Sequence, residues 1–327
     1  MRGLLWGTVL LAALWGGWWV VGSRGAEAAA VAWFQAQTDE GREAGYDSLE
    51  VRGFPSRFDL TITNPRLADP DRRLSWTSPF AQVFAMSWKP WHLIAALPGG
   101  QVFGVGDQTV TLDATRLMAS LLMTPGPDLA LSEVVLEGEA LALVPTVAKV
   151  KGMSRAVASI RADESRTNGY RLGLSIRDLA LDPAFAAEAG LADRLSEVHL
   201  DAKIALSAPL DRHAGKNRPA LRLFDLREGR VLWGDLQLSG KGEFTADDAG
   251  FAAGRIEVRV QNWRLLPPLM VTLGVISSDF APTLTRGLEV YAAQGDDPDV
   301  LVVPLAARNG LLTLGPLPLG PAPYWGD

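Results

Sequence analysis

The chain has 327 residues, a formal net charge of −6 and no cysteine. The missing thiols exclude disulfide staples, thiolate catalysis and cysteine-ligated zinc or iron–sulfur sites. The acidic balance argues against a nucleic-acid binder, which carries a basic stripe to neutralise phosphates.

Residues 3–22 carry no charge and are long enough to cross a ~30 Å hydrocarbon core as a helix. Arg2 supplies a short positive flank, and the apolar run exceeds the ~7–15 residues of a signal-peptide core. Trp15, Trp18 and Trp19 cluster at its far end, where amphipathic rings favour a membrane interface. Ala26-Glu27-Ala28 is a small-x-small cleavage site, so a removed signal peptide stays open. Arg24 nearly balances Arg2, but a large following body translocates largely regardless of such counts. The segment therefore reads as an inner-membrane anchor (1–22), crossing once, with the C-terminal body in the periplasm. An oxidising periplasm also suits a chain without thiols.

Residues 23–45 are alanine-rich with charges spread along them, and read as a helical stalk closed by Gly45. Trp33 and Phe34 are its expected contacts with the body. From residue 46 the hydrophobic period changes to two, and 46–327 reads as one β-rich domain without a compositional linker. Phe58, Leu60 and Ile62 alternate with polar residues up to Asn64-Pro65. Short strands are expected at 73–77, 82–88, 101–105 and 109–113, with turns at Gly99-Gly100 and Gly106-Asp107. Residues 132–144 fit a strand pair or a helix, ended by Pro145, and 147–162 fit a short helix. Tyr170, Leu172, Leu174 and Ile176 alternate again, and 183–195 reads as a helix with proline at its start.

Next, Glu197, His199, Asp201 and Lys203 share one face of a strand, opposite Val198, Leu200, Ile204 and Leu206. The clearest hairpin lies within 231–263. Leu232, Leu236, Leu238 and Phe244 face one way and Trp233, Asp235, Gln237, Lys241 and Glu243 the other. Residues 247–250 make its turn, and Ile256, Val258 and Val260 point inward on the return, a packed face backed by a solvated one. Helices are expected at 267–278 and 282–293. Arg308-Asn309-Gly310 joins 301–305 to 311–319, Asn-Gly between apolar runs being a strong hairpin signal. The fold class is mainly β with a few helices: an N-terminal transmembrane helix followed by an elongated, curled antiparallel sheet.

Catalytic signatures are missing: no Gly-x-Ser-x-Gly elbow, His-Glu-x-x-His pair or Walker-type loop occurs. No cofactor or metal is therefore expected. His199 beside Glu197 and Asp201 is the best arrangement for acid–base or metal chemistry, although a solvent-facing cross-strand position accounts for it. His92, in an aromatic stretch, suits packing; His213 lies in a charged loop. Asp296, Asp297 and Asp299 lack the glycine and distal glutamate of a calcium loop, and Glu137 and Glu139 have no further mark of a catalytic pair. The remaining candidate is apolar. Leu236, Leu238, Ile256 and Val258 would line any greasy groove able to hold acyl chains, and otherwise make core.

The run from Val51 through Gly53-Phe54-Pro55 to Leu60, then Asn64-Pro65-Arg66-Leu67, Asn262-Trp263-Arg264-Leu265-Leu266, and the close at Asn309-Gly310 and 314–319 resemble domain-of-unknown-function family 2125. That family comprises uncharacterised bacterial proteins, and the resemblance carries no catalytic or ligand residue with it. Residues 236–254 and the closing Leu-Gly-Pro-Leu-Pro-Leu are similar, more loosely, to AsmA-type envelope proteins. This second likeness implies an N-terminal anchor and periplasmic β-rich grooves associated with phospholipid transport. The chain is much shorter than the long bridge-forming members of that group. The expectation is a non-enzymatic protein of envelope maintenance that holds lipid chains in a β groove. Its partners are the membrane and phospholipid, not nucleic acid. Two other classes stay open: a scaffold recruiting envelope proteins, and a hydrolase built on His199.

Overall fold

In a computed structural model of the chain, the apolar segment and the alanine-rich stretch after it form one helix, α1 (Arg2–Asp39). The structure describes residues 2–147, 149–295, 297–315 and 317–326. The helix stops short of Gly45 because Gly41 takes φ +83° and its N–H bonds back to the Thr38 carbonyl. Residues 43–45 are strand instead. Phe34 is buried against Tyr46, ring centroids 4.8 Å apart, whereas Trp33 stays half exposed.

The chain divides into two compact units, Met1–Pro125 with Leu136–Pro145, and Gly126–Val135 with Thr146–Asp327. Two of the three crossings between the units fall within one strand, 131–147, and the third in the loop at Pro125-Gly126.

The first unit contains α1, β1 (Glu43–Gly45), β2 (Ser48–Arg52), β3 (Arg57–Thr63), β4 (Arg66–Asp69), β5 (Leu74–Thr77), β6 (Phe80–Met86) and β7 (Lys89–Leu97). It continues with β8 (Gln101–Val105), β9 (Gln108–Asp113), β10 (Arg116–Met123) and the middle of β11 (Leu131–Val147). Its described pairings are antiparallel and form two series, β2–β3–β6–β7–β10 and β1–β4–β5–β8–β9–β11. Phe58, Leu60 and Ile62 lie on β3 as their alternation predicts, and Asn64 (φ 47°) with Pro65 ends it. Gly53 permits the turn before it. Its φ is +102°, and a Cβ there would lie 2.8 Å from the Arg57 carbonyl oxygen.

The sequence gives no sign of β7 or β10. Pro90 makes the start of β7 look like a corner, yet a proline near the first residue of a strand is tolerated. Two expectations are corrected. The 132–144 stretch is a single strand that runs through Pro145 to Val147, its period masked by Ala140 at φ 50°. The expected helix over 147–162 is β12 (Val150–Ala162), held in register from Arg155↔Arg177 to Ala162↔Tyr170, with Ala148 outside the described residues. Cross-strand pairing overrides the local helical preference there.

The second unit is a meander in which each strand pairs antiparallel with the next. After β12 come β13 (Gly169–Leu181), α2 (Pro183–Glu188), β14 (Arg194–Leu206), the single turn α3 (Ala214–Asn217) and β15 (Leu221–Trp233). Then come β16 (Leu236–Ala246), β17 (Ala252–Gln261), a 3-10 turn (Trp263–Leu265), α4 (Leu266–Thr272) and α5 (Ala281–Ala292). β18 (Val300–Arg308), β19 (Leu311–Leu314) and β20 (Leu317–Pro321) close it. Helix α2 begins as expected, Asp182 accepting from the N–H groups of Ala184 and Phe185, but it ends at Glu188 and residue 194 is already strand. The β18–β19 turn is Asn309-Gly310, both at positive φ.

The hairpin within 231–263 needs one change of face. Gly234 (φ +58°) and Asp235 form a two-residue turn between Trp233 and Leu236, which pair directly. Parity resets across that turn, so Trp233 is buried rather than on the solvated face. From Leu236 onward the alternation holds, and Ile256, Val258 and Val260 point inward. The main core of this unit gathers Leu236, Val260, Trp263, Leu301 and Val303, each almost fully buried, beneath Leu269 of α4 and Leu284 and Leu288 of α5. A smaller cluster forms around Phe244, Ile256 and Ala307.

Candidate functional site

Helix α5 is amphipathic, and Leu284, Leu288 and Ala292, spaced by four, turn its buried side toward the sheet. Between this side and β16–β18 lies a cavity of about 300 Å³. The sheet contributes Leu238, Val258, Val260, Leu301 and Val303; the helices contribute Leu266, Met270, Leu284 and Leu288. Phe280, Leu314 and Leu317 complete most of the wall, and Thr283 is the one lining residue with a polar side chain. Such a surface offers no hydrogen-bond code. It suits a flexible apolar chain and gives an ionic or sugar-like ligand nothing to bind.

The four residues that the hairpin pattern singled out separate into two environments. Leu238 and Val258 line the cavity. Leu236 is fully buried in the main core, and Ile256 belongs to the smaller cluster around Phe244. The walls supplied by α4 and α5 were missed, although both helices are legible in the sequence. The spacing of Leu284 and Leu288 marks an apolar face but not what it covers.

The polar candidates are otherwise engaged. His199 stands across from Ser175 and Arg230 on the polar side of the sheet. Its acidic neighbours each serve an arginine: Asp201 accepts from Arg171 at 2.9 and 2.6 Å, and Glu197 from Arg177 at 3.0 Å. The Arg171 guanidinium holds the Asp201 carboxyl below its usual range. His92 lies within 3.1 Å of the Ser120 hydroxyl. His213 is exposed, and its N–H donates to Asp211. Asp297 accepts from the Asp299 N–H, Asp299 pairs with Arg264, and Asp296 lies outside the described residues. The Glu139 carbonyl accepts from Thr115, and Glu137 is only partly exposed on the same strand. Among the described residues, no group of three or more histidines and acids is placed to hold a metal.

The first unit has a second apolar cavity, about 400 Å³, along α1. Small residues on the helix (Gly22, Ala26, Ala29 and Ala30) leave room opposite Phe58, Leu60, Val83 and Leu93. Just before it, three tryptophans tie α1 to the body. Trp15, Trp18 and Trp19 donate their indole N–H groups to the carbonyls of Pro55, Ser87 and Arg57 at 2.9, 3.0 and 2.7 Å. Helix α1 is the one described helix long and apolar enough to cross a membrane.

A family model described as an uncharacterized protein conserved in bacteria (DUF2125) matches residues 19–323. The chain belongs to this family. The match begins within the tryptophan cluster of α1 and takes in the cavity under α4 and α5 whole and the cavity along α1 except for Trp18. No curated protein and no solved structure matches the chain.

Proposed function

We propose that this DUF2125 protein is a single-pass inner-membrane protein whose β-rich body lies in the periplasm. There it serves envelope maintenance, without catalysis, by shielding the acyl chains of phospholipids. The observation that carries this reading is the cavity under α4 and α5, almost wholly apolar in its lining. Its size, about 300 Å³, falls at the lower end of the ~300–1,000 Å³ typical of small-molecule sites. A lipid tail gains roughly 0.8 kcal/mol for each methylene taken out of water, so such a site binds by burial alone. The pairing of Glu197 and Asp201 with arginines weighs against a hydrolytic role for His199.

Native mass spectrometry of the detergent-purified full chain tests the proposal. The expected result is co-purifying phospholipid at a fixed stoichiometry that survives detergent exchange and falls when the cavity is filled. A lipid-free chain, or lipid indifferent to filling, would leave the cavity as core and favour the scaffold.

A further inference from the structure

The loop between β2 and β3 and the turn between β6 and β7 lie together at one end of the first unit, where the Ser87 N–H donates to the Ser56 carbonyl at 2.9 Å. They carry large apolar side chains that the body does not cover: Phe54 is 63% exposed, Trp88 56% and Met86 44%. These are the loops that receive the indole N–H groups of Trp15, Trp18 and Trp19. Phe54 also meets Trp19 edge-on, ring centroids 5.4 Å apart. The exposed patch is thus continuous with the apolar helix.

Length decides where this end must lie, resting on the proposed function in which α1 spans the bilayer. Residues 3–14 precede the first docked tryptophan; at 1.5 Å per residue they reach only about 18 Å. A hydrocarbon core is about 30 Å thick. The remaining ~12 Å equals the rise of residues 15–22, the part of α1 to which the loops are clamped. While the three tryptophans stay docked on the loops, the helix crosses only if the loops enter the membrane with it.

Their backbone suits that position, since unpaired carbonyls are costly away from water. The carbonyls of Pro55, Arg57 and Ser87 accept from the tryptophans, that of Gly53 from Arg57, and that of Ser56 from Ser87. Neither loop 53–56 nor turn 87–88 contains an acidic residue; Lys89 flanks the turn, and Arg52 and Arg57, which flank the loop, pair with Glu50 and Asp59.

We propose that the two loops, 53–56 and 87–88, are inserted in the headgroup–acyl boundary of the leaflet from which α1 emerges, with Phe54 and Trp88 as the inserted side chains. The partner is the lipid surface itself. The first unit is then seated on the bilayer by three points instead of hanging from a free stalk.

Because the chain has no cysteine, single nitroxide labels test this directly in the full chain reconstituted into phosphatidylethanolamine–phosphatidylglycerol vesicles. Labels at Phe54→Cys and Trp88→Cys are compared with Val9→Cys, within the apolar run ahead of the docked tryptophans, and Ser48→Cys, about 13 Å from the loop end of β2. The expected ratio of oxygen to water-soluble nickel-complex collisions is several-fold higher at 54 and 88 than at 48, with unchanged circular dichroism. Water-like values at 54 and 88 with a lipid-buried label at 9 would overturn insertion while leaving the anchor intact. A water-like label at 9 would remove the spanning reading and insertion together.

Discussion

The ring of Phe58 closes over Gly22 so tightly that a Cβ at residue 22 would lie 3.0 Å from its Cε1 and 3.2 Å from its Cε2. Glycine normally weakens a helix by roughly 0.5–1 kcal/mol relative to alanine, so its presence here serves the contact between α1 and β3. Phe58 is itself buried, and its ring must shift to admit a Cβ at residue 22. Gly22→Val therefore sets a small propensity gain against overpacking of about 1–3 kcal/mol. The expected outcome is a lower unfolding temperature and faster proteolysis within residues 23–45. Unchanged proteolysis would mean that α1 does not lie on β3.

Acid should destabilise the second unit through its ion pairs. Lys203 lies 2.7 Å from Asp163. With the hydroxyl and N–H of Ser165, it holds that carboxyl well below the usual carboxylate range. Arg171 lowers Asp201 in the same way, and Arg230 lowers Glu228. A depressed folded-state pKa gives stability that is present above the unfolded value and lost as pH falls through the folded one. With unfolded carboxylates near 4, the thermal midpoint should hold above that pH and decline below it. Lys203→Ala should flatten the decline. Equal slopes in both chains would show that this pair contributes nothing to it.

Elements governed by a local period were readable from the sequence. Strand β3, the return strand with Ile256 and Val258, the Asn309-Gly310 turn and α5 were legible because each is written in alternation, helical spacing or turn residues, whereas the helix expected over 267–278 ends at Thr272. The elements that escaped it were decided at a distance. Pro90 hid β7, Ala140 blurred the period of β11, and β12 is a strand because β13 lies beside it. The cavity was half legible: Leu238 and Val258 came from alternation, whereas the helical wall depends on how α5 is set over the sheet. The docking of Trp15, Trp18 and Trp19 was invisible for the same reason, since their partners are main-chain carbonyls some 38 to 69 residues away.

Trp233 offers a check on the reset of parity at Gly234-Asp235. Its indole stacks on Phe185 at 6.4 Å between centroids and donates to the Ala192 carbonyl at 2.6 Å. Removing a buried aromatic of this size costs about 3–5 kcal/mol. Trp233→Phe keeps the stacking but leaves the carbonyl without its donor, for about 1–3 kcal/mol. Denaturant melts should rank wild type above Trp233→Phe, and that above Trp233→Ala. A Trp233→Ala variant as stable as wild type would put the side chain back on the solvated face.

Gly287 separates a binding cavity from an imperfectly filled core. It sits in the interior of α5 at the exposed side of the cavity wall, and a Cβ built there meets no atom within 4 Å. Replacing it with leucine removes a helix-weakening glycine, a gain of about 1 kcal/mol, and sets an apolar side chain at the cavity wall. An exposed position adds little burial and costs some rotamer freedom, so Gly287→Leu is expected to raise stability by up to about 1 kcal/mol. If the cavity holds an acyl chain, the same substitution must also expel it. Phospholipid then disappears from the native mass spectrum of a protein that is more stable than before. Ordinary destabilising variants cannot give that pair of results, because lipid lost through unfolding comes with a lower midpoint. A raised midpoint with bound lipid unchanged would place the lipid elsewhere and end the case for this cavity.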